Sequence, residues 1–204
     1  MKTHDFHTTR RTFLKSVAAA TVALAAGLRG RADNVAAPRR NIKLGYDNFA
    51  LRALKWKAPR LIDYAVELNV DSLFITDFGP FEKFDDGYLR DLRQRAADKG
   101  VQIQLGSWSI CPTSKSFKKD WGAAEEHLAL GIRMAKTLGS PVFRVILGTG
   151  ADRLTEGGIE ARIADTVKVL KSQRSYALDT GVKVAVENHA GDMQAWELVT
   201  LIEA

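Results

Sequence analysis

Disulfides are excluded at once. The 204-residue chain holds a single cysteine, Cys111, so no intramolecular bridge can form and the fold must be held by its core. Long hydrophobic runs are also scarce. Past the first forty residues no apolar stretch approaches the roughly 20 residues that span a bilayer, so no stable membrane span is expected there. An excess of one charge is missing too. The formal net charge is +6, but residues 1–40 carry Lys2, Arg10, Arg11, Lys15, Arg29, Arg31, Arg39 and Arg40 against only Asp5 and Asp33. The remainder holds 22 basic and 22 acidic residues. A neutral globular part lacks the electrostatic footprint of a duplex-DNA binder, and no nucleic-acid partner is expected. A glycine-rich phosphate turn is absent as well: the first turn after a strand reads Gly45-Tyr46-Asp47-Asn48-Phe49, without the G-x-G-x-x-G of a dinucleotide-binding sheet.

What is present begins with a leader. Thr9-Arg10-Arg11-Thr12-Phe13-Leu14-Lys15 precedes a short, Ala-rich apolar segment from Val17 to Leu28. A charged region followed by a mildly apolar one is the pattern of an export signal, and paired arginines beside Phe-Leu-Lys resemble the twin-arginine address. Residues 1–40 are therefore expected to be a twin-arginine signal peptide and linker, with the export machinery as partner and a periplasmic or secreted destination. Residues 41–204 are the globular part.

There the chain alternates β-rich runs with helical patterns. The runs are Ile42–Tyr46, Ser72–Thr76, Val101–Leu105, Val142–Leu147 and Val182–Glu187. Between them apolar residues recur at spacings of three and four: Leu61, Ile62, Ala65, Val66 and Leu68; Tyr88, Leu89, Leu92 and Ala96; Trp121, Ala124, Leu128, Gly131, Ile132, Ala135 and Leu138; then Ile159, Ile163, Val167, Leu170, Ala177 and Leu178. A last helix is predicted from about Gln194, with Trp196, Val199 and Ile202 on its apolar face. Asn69, Gly100, Gly139 and Gly181 are the expected stops, and Asp85 or Asp86 the cap of the second helix. Repeated βα units predict an α/β fold with a parallel sheet. A TIM-type (β/α) barrel fits better than a doubly wound sheet, because Asp47, Asp77, Trp108, Glu187 and His189 all fall just after strand ends. A complete barrel has eight units and about 250 residues. About five units are present, so 41–204 is read as the N-terminal part of an incomplete barrel. Its first and fifth strands are unpaired edges, which favours poor solubility or homo-oligomers.

The densest chemistry is Val186-Glu187-Asn188-His189-Ala190-Gly191-Asp192. A carboxylate ending the apolar strand of Val182, Val184 and Val186 should be partly desolvated and needs a partner. Two partners compete: a divalent metal, with His189 near it, or Arg144 on the neighbouring strand. Arg144 itself could fork onto a sugar oxygen or phosphate, or pair internally with Glu187 or Asp77. Trp108 is either a wall on which a sugar stacks or core. Cys111 reads as pocket lining without chemistry, and His4, His7 and His127 as incidental.

Taken together, Glu187-Asn188-His189, the βα rhythm, the loop Ser109-Ile110-Cys111-Pro112-Thr113-Ser114 and Phe143-Arg144-Val145 resemble the sugar phosphate isomerase/epimerase family, within the xylose-isomerase-like barrel superfamily. The resemblance covers residues 42–204. It implies a metal-dependent sugar or sugar phosphate isomerase or epimerase acting on a small carbohydrate, with Glu187 as catalytic proton carrier and metal ligand. His189, Arg144 and Trp108 would bind substrate. The metal would be Mn, Co, Zn or Mg, and its further Asp, His and Glu ligands would lie beyond Ala204. The fragment alone would then be inactive. Export argues against a phosphorylated substrate. Hydrolase or lyase chemistry on the same barrel, and a non-catalytic periplasmic sugar-binding protein, are the alternatives.

Overall fold

The computed structural model describes residues 42–204; the leader, with His4, His7 and the Arg10-Arg11 pair, lies outside them. Lys43–Ala204 forms one compact unit. Five strands, β1 (Gly45–Asp47), β2 (Ser72–Ile75), β3 (Gln102–Ser109), β4 (Val142–Ile146) and β5 (Lys183–Glu187), pair in chain order, every pair parallel. Helices α1 (Ala58–Glu67), α2 (Asp86–Asp98), α3 (Ala124–Leu138) and α4 with α5 (Gly158–Ser172, Arg174–Thr180) are the connections, and α6 (Ala195–Glu203) follows β5. The α/β, partial-barrel organisation expected from the βα rhythm is what the chain adopts.

Strand alternation decides which face meets the helices. Leu73 and Ile75 of β2, Ile103 and Leu105 of β3, and Phe143 and Val145 of β4 are buried. They pack on Leu61, Ile62 and Ala65 of α1, Leu89, Leu92 and Ala96 of α2, and Leu128, Ile132 and Ala135 of α3. At the tightest point α3 passes over Phe143. A Cβ on Gly131 would stand 2.0 Å from that ring, so only glycine admits the helix there. The opposite face carries the alternate residues. Phe74 of β2 pairs with Gln104 of β3; two residues on, Gly106, Arg144 and Ala185 follow one another across β3 to β5, and Glu187 sits two residues beyond Ala185 at the end of β5.

The helix ends follow the sequence signals. Asp85 caps α2 through its side chain, which accepts from Tyr88 N, and Asn69 takes the left-handed conformation expected of a stop. Three expectations are corrected. The helix predicted through Leu178 divides at Gln173, where the Ser172 hydroxyl donates to Val169 O and tightens the last turn of α4. Leu178, past the break, is 63% exposed. Trp121 precedes α3 in a short 3-10 turn rather than joining it. In α6 the predicted apolar face is the outer one. Trp196, Val199 and Ile202 are 68%, 51% and 64% exposed, because Leu198 and Leu201 occupy the stripe that packs on Leu147, Ile159, Ile163 and Met193.

Candidate active site

The site is assembled where β3, β4 and β5 end. Between β3 and β4 the pairing steps from Gly106–Arg144 to Ser109–Ile146, three residues of one strand against two of the other. This bulge places Ser107 and Trp108 out of the regular ladder. The Ser107 carbonyl accepts from Arg144 Nη1 at 2.8 Å, and the guanidinium lies 4.9 Å from the centre of the Phe74 ring. Its Nε is 3.2 Å from Glu187 Oε2, a charge contact without aligned hydrogen-bond geometry. Of the alternatives the residues allowed for Glu187, the arginine partner is the one present. Burial holds Arg144 below its ordinary pKa, opposed by the nearby charges of Glu187, Asp47 and Asp77. The desolvated carboxylate expected at the end of β5 is not found: the Glu187 side chain is 45% exposed and carries its own counter-charge.

Trp108 is half-buried, with its ring edge-to-face against Phe49 (6.1 Å between centroids) and against His189 (6.0 Å), and Lys118 Nζ is 5.9 Å from its centre. The structure therefore groups Trp108 with His189, and Arg144 with Glu187. His189 Nδ1 lies 3.2 Å from Gly148 O, and its backbone N–H donates to Asp192 Oδ1 at 2.6 Å. Asp47 and Asp77 each spend one carboxylate oxygen on the turn that follows, accepting from Phe49 N and Gly79 N.

Cys111 is a correction. It is fully buried in the cluster with Leu147, Ile159 and Met193, with Sγ 3.5 Å from both Thr113 Oγ1 and Arg162 O, so it is core and does not line a pocket. His127 is 1% exposed and bonded to Ser107 on the helix side of β3. Sequence reasoning missed Ser107 and Asp152. Asp152 accepts from Thr149 N, one half of a capping box, and the Thr149-x-x-Asp152 spacing was a signal that could have found it. A cavity of about 670 Å³ runs along β5, α4, α5 and α6 between Val184, Val186, Leu170, Leu178 and Ile202, and none of the candidate residues lines it.

A metal would need several ligands converging on one point. Among the described residues no three His, Cys, Asp or Glu side chains do so, and Glu187 faces an arginine. The described residues supply fewer than three converging ligands and do not by themselves fit a metal site.

No family model matches the sequence, and no curated protein does. Solved structures match the fold. A D-psicose 3-epimerase crystallised in the presence of D-fructose superposes with a TM-score of 0.58 at 16% identity, over 79% of this chain and 59% of that one. The IolI protein with a bound zinc atom gives 0.59 at 15% identity, over 79% and 58%. This is the xylose-isomerase-like barrel fold. A xylose isomerase domain protein from Planctomyces limnophilus matches at 0.50 and 15% identity, over 70% of this chain and 53% of that one. The chain thus spans between half and three fifths of the length of these structures. Within this fold, Glu187 stands at the C-terminus of β5, the end of a barrel where active sites are built, and Arg144 reaches it from the middle of β4.

Proposed function

We propose that this chain is the N-terminal portion of an exported sugar isomerase or epimerase that moves a proton on a carbon next to a sugar carbonyl. The observation that carries the reading is the 3.2 Å contact at the C-terminal end of β5 between Glu187, which ends that strand, and Arg144, which reaches it from the middle of β4. Trp108 of β3 and His189, two residues past Glu187, meet edge-to-face. Glu187 is the exposed member and reaches the substrate. It takes the proton from the carbon, and the buried Arg144 supplies fixed positive charge where negative charge develops on the carbonyl oxygen. Trp108 offers an apolar wall to the C–H face of a sugar, and His189 a hydrogen-bonding group to its hydroxyls.

A divalent metal, Mn, Co, Zn or Mg, belongs to the proposal only as a partner for which Glu187 would be one ligand, and no step above runs through it. Export by the twin-arginine route is proposed from residues 9–28 alone, and with it a periplasmic location and an unphosphorylated substrate.

The test uses three ketohexoses: D-fructose, with which the D-psicose 3-epimerase above was crystallised, D-psicose, which that enzyme's name carries, and D-tagatose, present with another D-psicose 3-epimerase of the same fold. Incubated with the complete protein in D₂O, at least one should take up deuterium at the carbon beside the carbonyl, and Glu187→Gln should abolish the exchange. Sugar binding without exchange would replace the isomerase reading with that of a sugar-binding protein. Neither binding nor exchange would overturn both.

A further inference from the structure

Two carboxylates deep in the rim take no part in the chemistry above. Asp152 and Asp192 are both 0% exposed, and among the described residues neither carboxylate has a cationic side chain as hydrogen-bond partner, Arg153 reaching only the Asp192 backbone carbonyl. Each is held by donors from different loops. Asp192 accepts from His189 N (2.6 Å) and Met193 N (2.5 Å) at Oδ1, and from Gly148 N (3.0 Å) at Oδ2. Asp152 accepts from Lys115 N (2.7 Å) at Oδ1, and from Ser114 Oγ and Thr149 N (both 2.9 Å) at Oδ2. Burying two carboxylates this fully is expensive, and six donors are what makes it tolerable.

The donors tie together three loops: Ser114 and Lys115 after β3, Gly148 and Thr149 after β4, His189 and Met193 after β5. The arrangement converges on Gly148. A side chain there would collide with Asp152 Oδ2, 2.1 Å from an added Cβ, and with Ser114 Oγ at 2.7 Å. Gly148 N–H donates to Asp192 while Gly148 O faces His189 Nδ1. A carbonyl can only accept, so Nδ1 must carry the proton. Nε2 of a neutral ring is then an acceptor, and among the described residues nothing occupies it.

We infer that Asp192, with Asp152 behind it, is a positioning residue: it fixes Gly148 and the His189 backbone so that His189 is locked as the Nδ1–H tautomer and presents Nε2 as a hydrogen-bond acceptor beside Trp108. The occupant it fits is a hydroxyl donor on a polyhydroxylated ligand. This last step rests on the sugar reading; the tautomer lock does not. A fixed tautomer makes the site selective, because Nε2 accepts from a hydroxyl but offers nothing to a carbonyl or ether oxygen.

The experiment is a long-range ¹H–¹⁵N spectrum of the histidine rings of the full chain in mildly alkaline buffer, with His189 assigned by loss of its signals in His189→Gln. The wild type should show a protonated Nδ1 and an unprotonated Nε2. Asp192→Asn keeps the shape but places an amide N–H₂ among N–H donors, and should convert His189 to a mixture of tautomers. Ser114→Ala trims the clamp on the far side of Gly148 and should leave the tautomer as it is. A wild type with Nε2–H overturns the inference. So does an unchanged spectrum in Asp192→Asn, or an equal change in Ser114→Ala, which would be general loosening. The wild-type spectrum and Ser114→Ala decide the matter even if Asp192→Asn does not fold. Calorimetry with the same ketohexoses separates the two readings: affinity about tenfold weaker in Asp192→Asn supports both. No sugar binding by a wild type that shows the expected tautomer overturns the sugar and leaves the lock.

Discussion

His127 Nε2 and Ser107 Oγ share a 2.6 Å hydrogen bond in the layer between α3 and β3, with neither side chain more than 1% exposed. On the other side of the ring Nδ1 has no partner among the described residues, and Phe78 stacks edge-to-face at 5.5 Å. A second proton has nowhere to go, and burial pushes the His127 pKa down from 6.5 to about 4. The unfolded chain binds that proton near pH 6.5 and the folded chain does not. The stability is therefore complete above about pH 6.5 and is lost as pH falls toward 4. Urea unfolding at pH 7 and pH 5 should differ by about 2 kcal/mol, and by less in His127→Gln. The carboxylates held below their usual range by partners, such as Asp63 beside Arg95 and Glu197 beside Arg153, lose their contribution only at lower pH, so this window reports on the histidine. Equal pH dependence in His127→Gln would count against the assignment.

Packing of α3 on β4 makes a second expectation. Alanine is about 1 kcal/mol better than glycine inside an exposed helix, yet Gly131→Ala should destabilise by about 1–3 kcal/mol because its methyl collides with the Phe143 ring. Phe143→Leu in the same chain should recover part of the loss. Thermal melts of the two single variants and the double variant read the coupling.

The outward stripe of α6 has an effect in solution. Trp196, Val199 and Ile202 present large apolar side chains on one side of the helix. The chain should bind an apolar dye such as ANS, and replacing all three with lysine should reduce the fluorescence severalfold without loss of helical signal. Unchanged dye binding would place the exposed surface elsewhere.

Export can be read in cells. Replacing Arg10 and Arg11 with lysine keeps the charge and should leave the protein in the cytoplasm, because the twin-arginine address is read by a receptor. Fractionation with undiminished periplasmic protein would refute it.

Much of the scaffold was legible because the buried residues repeat. Period-two alternation in Ser72–Ile75 and Val142–Ile146, and stops at Asn69 and Gly139, depend only on neighbours in the chain. The α6 stripe was misread because periodicity shows that a helix has an apolar face and not which of two faces is covered. Arg144 was one of two partners the residues allowed for Glu187, and the structure shows that contact. Ser107, the burial of Cys111 and the reach of Asp152 to Ser114 and Lys115 were not visible, although the local Thr149-x-x-Asp152 spacing was. Each depends on where loops separated by tens of residues meet, and a bulge in β3 leaves no mark in composition.

Strand order equal to chain order has a kinetic side. Each strand pairs with the one made just before it, and the helix between them closes the same unit, as the pairs Gly45–Ser72 and Val142–Lys183 show. No pairing among these strands waits for a distant segment, so loop-closure costs arrive in small instalments. Such a chain can add one βα layer at a time as it leaves the ribosome. Until the next layer arrives, the newest strand always offers a bare parallel edge, and in these residues that edge is β5.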